Sequence, residues 1–170
     1  PRTLRSTSGA QIQMEGPNTR FPLFARSVRQ QCVANSTPDA ELAAIAMAFR
    51  TMAIPSLDLW DVLLPVPVIV FLHEDNSACI SVICSGKNPT MRYIGRTQGI
   101  NIQLLHELLG LINPDCPSEL VKTESADMVA DIHPQCFTSV EEWNHVSRNA
   151  NFFYATDSKE IFVHHNVYFV

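Results

Sequence analysis

The stretch that most constrains this chain is Val66 to Asn76. Five apolar residues, Val68 to Leu72, run without interruption and then break at once into His73, Glu74, Asp75 and Asn76. Pro65 and Pro67 obstruct a helix start, and Val and Ile favour extended backbone. An apolar run of this kind, bounded by Pro and by Asp-Asn, predicts a strand over Val68–Leu72 that is buried on both faces. The following segment, Ser77 to Cys84, is predicted to be a helix capped by Asp75 or Asn76. A buried strand feeding a helix through an acidic turn sets a carboxylate at the strand's C-terminal edge. In open α/β sheets that edge is where ligands and metals sit. Asp75 is therefore the first candidate site residue.

Either side of this strand the pattern alternates. Ser6–Met14 and Phe21–Val28 are predicted to form a hairpin around Glu15-Gly-Pro-Asn18. Ser36-Thr-Pro-Asp-Ala-Glu41 is a helix start, with Thr37 as the cap, Pro38 at the first helical position and acids favoured by the helix dipole. Leu42, Ile45, Ala46, Phe49 and Met52 then repeat at helical spacing, and the helix is expected to end before Pro55. Glu41 projects from the edge of that stripe, where a carboxylate is more often solvated than functional. Gly99–Gly110 is a second long helix, Asn113–Pro117 a loop and Leu120–Thr123 a short strand. Ser125–Asp131 is a short helix with Asp127 near its start. The order β-β-α-β-α-α-β-α implies an α/β layered fold. Beyond His133, a short helix over Phe137–Trp143 capped by Thr138 or Ser139 is expected. Strands at Phe152–Tyr154 and Ile161–Val170 should flank a turn at Asp157–Lys159.

Composition narrows the partners. At 170 residues the chain fits one domain with a real core. A net charge of −5 disfavours a large nucleic-acid footprint without forbidding a basic stripe. Five cysteines without a C-x-x-C pair point to free thiols and a reducing intracellular compartment. Which compartment is left open, an organelle reached through a removed transit peptide included. The histidines lack metal-ligand spacing, and the neighbours His164 and His165 would point to opposite faces of a strand. The longest apolar run falls short of the roughly 20 residues that span a bilayer, so no transmembrane segment is expected. A start at Pro1 is expected of a processed product or an excised domain.

Several pieces, in order, carry a family likeness. They are Arg5-Ser-Thr-Ser-Gly9, Ser36–Glu41, Asp75-Asn76, Asn88-Pro89 with Arg96-Thr97 and Ile100-Asn-Ile102, and Thr123 with Ala126-Asp127. Over about residues 5–131 the chain resembles the ribonuclease H domain of copia-type retrotransposon polyproteins. The resemblance implies a ribonuclease H-like mixed sheet of five strands flanked by helices, with 132–170 as an extension packed on that domain. It also implies two Mg²⁺ ions, held by four carboxylates, that cut the RNA strand of an RNA–DNA hybrid. Two such ions about 3.5–4 Å apart activate a water and stabilise the leaving oxygen, and Mg²⁺ takes oxygen ligands. By the resemblance, Glu41, Asp75 and Asp127 match three of the acids, and Asn76 and Arg96 match nucleic-acid contacts.

The chain departs from that pattern where it matters. The family's bridging acid lies on a first strand ahead of the R-S-T-S-G motif, and no acid precedes Arg5 here. The basic K-H of the family's R-T-K-H-I has become Gln98-Gly99, and the T-K after its last acid has become Val129-Ala130. Two phosphate contacts are thereby lost. The expectation is a non-catalytic, retroelement-derived module serving other protein subunits, without a cofactor. The alternative is an active Mg²⁺-dependent ribonuclease H completed by an acid upstream of Pro1.

Overall fold

In the computed structural model, described over residues 4–16, 19–66, 68–109 and 118–152, the chain is mixed α/β with two small sheets and several helices. The first sheet is the antiparallel hairpin of β1 (Thr7–Gly16) and β2 (Thr19–Arg29). Its register shifts between Ile12 and Gln13, where Leu23 bulges out of β2. The second is the parallel pair β3 (Val70–Glu74) and β4 (Ser118–Lys122). The expected single sheet is thus two separate pairs among the described residues.

Between the sheets in sequence lies one long helical run. α1 (Thr37–Ala48) begins at Ser36, whose hydroxyl accepts from the Asp39 amide at 3.3 Å. The cap is therefore Ser36 and not Thr37, because Pro38 then falls within the first turn, where its missing N–H costs nothing. The Asp39 carboxylate is fully buried and is satisfied by the Asn35 amide, the Tyr93 hydroxyl and the Gln98 amide. Leu42, Ile45, Ala46, Phe49 and Met52 form the buried stripe against β1 and the third helix.

The helix does not stop before Pro55. A π-helical turn, Phe49–Ala53, leads straight into α2 (Ile54–Leu63). In an unbroken α-helix Pro55 would clash with the carbonyl four residues back and leave it unbonded; the wider turn removes both problems. The run Thr37–Leu63 is long and apolar enough, by length and composition, to cross a membrane, with 33% of its most apolar window buried. A core helix passes the same test, and α1 is packed in the core. α2 buries Trp60 but leaves Leu59, Val62 and Leu63 exposed.

β3 starts two residues later than expected, because a strand extends only as far as its partner does. Val70 pairs with Ser118 and Glu74 with Lys122. Glu74 and His73 thus belong to the buried strand rather than to the turn after it. α3 (Ser77–Ser85) is capped by Asn76 and closes at Gly86, φ 63°, where a Cβ would meet the His106 ring at 2.8 Å. α4 (Ile94–Thr97) and α5 (Ile102–Leu109) complete the crossover to β4. Cys79, Ile83, Leu105 and Leu109 join the α1 stripe and Leu72 in the core.

The expected helix over Ser125–Asp131 is two 3-10 turns, Ser125–Asp127 and Val129–Ile132, parted by extended backbone at Met128. The last helix, α6 (Val140–Asn149), is capped by Ser139 and runs past Trp143, because Val146 and Ala150 are buried. Its end is tied to the hairpin: Gln11 Nε2 donates to Ala150 O, Arg20 Nη1 to Asn149 O, and Asn151 Nδ2 to Arg20 O. Cys32, Cys79, Cys84 and Cys136 are free thiols. The expected Asn113–Pro117 loop, the Asp157–Lys159 turn, the strands at 152–154 and 161–170 beyond Phe152, and part of the Glu15–Asn18 turn lie outside the described residues.

Candidate functional site

A cavity of about 390 Å³ opens between β1, α1, β3 and the turn Val129–Ile132. Four carboxylates line it. Glu41 comes from the second turn of α1, Glu74 and Asp75 from the end of β3, and Asp131 from the 3-10 turn. The Asn76 amide donates to Glu74 Oε1 at 3.1 Å. Ser125 Oγ donates to Asp75 Oδ2, and Lys122 Nζ to the Asp75 carbonyl.

The acids perturb one another. Burial, then the charges of Asp75 and Asp131, raise Glu41 to about 7. Burial, then Glu41, raise Glu74 to about 8, while the Asn76 amide and Lys122 pull the other way. Burial and Asp75 raise Asp131 to about 6. Glu74 therefore holds its proton at neutral pH and Glu41 is close to half protonated. The same burial and negative surroundings push the Cys79 thiol up, so it is not a nucleophile. The cavity can share protons and form carboxyl–carboxylate hydrogen bonds, and it favours an incoming positive group.

On the opposite face of β1 a second set of polar groups is buried. Gln11, Gln13 and Glu15 alternate along the strand. Gln11 Nε2 donates to Gln13 Oε1 at 3.4 Å, and Gln13 Nε2 to Glu15 Oε1 at 2.9 Å. Arg20 Nε lies 2.6 Å from Glu15 Oε1, and His133 Nε2 lies 3.0 Å from Gln11 Oε1. Burial raises Glu15 to about 7 even so, because Arg20 offsets only part of the lost solvation. His73 Nδ1, on β3, is 2.6 Å from Thr123 Oγ1, and burial lowers this imidazole to about 4.

Of the residues expected at a site, Glu41 and Asp75 share the cavity and Asp127 does not. Asp127 Oδ1 is exposed and sits 2.7 Å from His145 Nε2, with Asn149 Nδ2 at 3.3 Å. Asn76 spends its side-chain oxygen on the Ala78 and Cys79 amides at the start of α3. Arg96 is exposed on α4 and does not line the cavity. Asp131 and Glu74 are the acids that sequence reasoning missed. The signal for Asp131 was present: the Ala-Asp pair occurs twice, at 126–127 and 130–131, and only the second reaches the cavity. Glu74 was hidden by ending the strand at Leu72.

No family model, curated protein or solved structure matches the chain. Among the described residues, no three His, Cys, Asp or Glu side chains converge closely enough to hold a metal ion. The donor chemistry of the cavity, oxygen only, suits Mg²⁺. The present spacing of the side chains does not make a ligand set, and no reaction step is derived through a metal.

Proposed function

We propose that the chain is a ribonuclease H-like module of retroelement origin that works without catalysis, as a structural or interaction subunit of a larger protein assembly. One observation carries this reading: the cavity acids are substantially protonated near neutral pH. Glu74 is raised to about 8 and Glu41 to about 7, and the third expected acid, Asp127, is turned to His145 instead. Uncharged carboxyls contribute little to drawing a strongly hydrated Mg²⁺ out of water. Arg96 stands apart from the cavity, and the net charge of −5 adds no general attraction for phosphate.

A second reading, an active Mg²⁺-dependent ribonuclease H acting on RNA–DNA hybrids, is favoured by the convergence of Glu41, Asp75 and Asp131 from three separate elements. Mutually raised carboxyl pKa values are also what a cation would reverse on binding. The test is a nuclease assay of the chain on an RNA–DNA hybrid with Mg²⁺ or Mn²⁺. No cleavage above background is expected. A hybrid-specific rate that both Asp75→Asn and Asp131→Asn abolish would replace the first reading with the second.

A further inference from the structure

The two sheets have a space between them shaped for one more strand. β1 and β3 are buried as inner strands are: β1 covers Ala10 and Ile12 on one face and Gln11 and Gln13 on the other, and β3 covers Val70, Leu72, His73 and Glu74. β2 and β4 are the outer strands, with Phe21, Phe24 and Val28 of β2 exposed and no residue of β4 fully buried. Each inner strand pairs on its outer side alone among the described residues, β1 with β2 and β3 with β4. Inner edges facing each other across a covered interior leave backbone groups that require partners.

The space itself is visible. Gly9 and Ala10 of β1 and Leu72 and Glu74 of β3 wall the 390 Å³ cavity, with Ala44 of α1 on one side and Ala130 on the other. It passes through the plane of the strands and does not merely lie on one face. A second cavity of about 430 Å³ touches Gln13 and His73 of the same two strands. A strand inserted midway would stand about 4.8 Å from each neighbour.

We propose that this space is a docking slot for one β-strand, and that its occupant is the chain's own C-terminal segment, Ile161–Val170. The chain is delivered to the right place. Asn149 lines the second cavity, Ala150 O accepts from Gln11 of β1, and Asn151 bonds Arg20. From Phe152, the residues 153–160 can reach roughly 26 Å if extended, more than the length of β3. Ile161–Val170 is the chain's densest run of β-branched and aromatic residues and carries no acid. Its His164 and His165 would face opposite sides of the slot, so one of them meets the carboxylates of Glu41 and Glu74. This proposal rests on burial and pairing, and it stands or falls independently of any ribonuclease H reading.

The test uses the full chain and residue-resolved amide hydrogen exchange. The inward amides of β1 and β3 are expected to exchange about a hundredfold more slowly than the outer-edge amides of β2. Val163→Pro and Asn166→Pro remove ladder donors on opposite edges of the inserted strand. Each should speed exchange at an inner edge by about tenfold while the β1–β2 ladder stays protected. A benzophenone photocross-linker at Tyr168 in the otherwise unchanged chain gives a readout that no proline disturbs, with cross-links expected to residues 7–16 or 70–74 of the same molecule. Inner-edge amides as fast as the outer edge of β2, protection untouched by both proline variants, cross-links elsewhere in the fold, or cross-links between two molecules would each overturn the proposal.

Discussion

The molecule buries acids in two places, one on each side of the slot between its sheets, and handles them in opposite ways. On β1, Glu15 lies at the end of a row in which each amide faces a neighbour, with Arg20 at 2.6 Å. In the cavity, Glu41, Glu74, Asp75 and Asp131 face one another, and the cation Lys122 is bonded to a backbone carbonyl. Both arrangements raise carboxyl pKa values, yet for different reasons. For Glu15 the cause is burial against the pull of a guanidinium; for Glu74 it is burial reinforced by like charge. A compensated acid ties elements together. Like-charged acids hold a tension that a proton, a cation or a donor can release, and such a place is where binding is to be sought.

The largest expected effect tests the compensated side. Arg20→Met should leave the Glu15 carboxylate buried without its cation and lower stability by about 3 kcal/mol, measured by urea unfolding at pH 8. A loss below ~1 kcal/mol would erase the distinction between the two sides. Next comes pH. The folded-state values of Glu41 and Glu74, raised to about 7 and 8 from 4.5, mean that the folded chain holds protons the unfolded chain has released. Their contribution is fully present below pH 4.5 and is lost as pH rises through 7 to 8. His73, lowered to about 4, titrates below this range in both states and adds no slope above pH 6.5. Stability should therefore fall between pH 6.5 and 8, with Glu74 alone supplying roughly 2 kcal/mol. Glu74→Gln should flatten that slope; an unchanged slope would remove Glu74 from the set.

Smaller effects separate the cavity from its surroundings. Asp75→Asn takes one charge from a repelling group and should leave stability unchanged or raise it by up to about 1 kcal/mol. A clear loss would mean that the Ser125 contact outweighs the repulsion. Smallest of all, His145→Ala removes an exposed partner of Asp127 and should cost under ~0.5 kcal/mol, with the titration of the cavity acids unmoved in carboxyl-detected NMR.

What could be seen in advance follows from what each feature depends on. The hairpin, the α1 stripe and the buried strand were legible because periodicity is local. The bounds of β3 were not, since Ser118–Lys122 sets them from far along the chain. Pro55 was taken as a helix end because the π turn that admits it has no sequence signature of its own. In the site, Glu41 and Asp75 could be named from the order of motifs, whereas the choice between two Ala-Asp pairs needed the break at Met128. The row on β1 reads as an ordinary polar face, Gln11, Gln13 and Glu15; only the arrival of α6 makes it an interior.

The widened turn at Phe49–Ala53 carries a consequence for length variation. A π turn holds one residue more than the α-helical path needs. Deleting a single residue there could restore regular winding, but it would rotate everything after it by about 100° about the helix axis. Trp60 would swing out of its buried place, and the exposed Leu59, Val62 and Leu63 would point in a new direction. That single surplus residue therefore sets the aim of the whole second half, and the segment between Ala48 and Ile54 should resist insertions and deletions although it lies mid-helix and far from the acids.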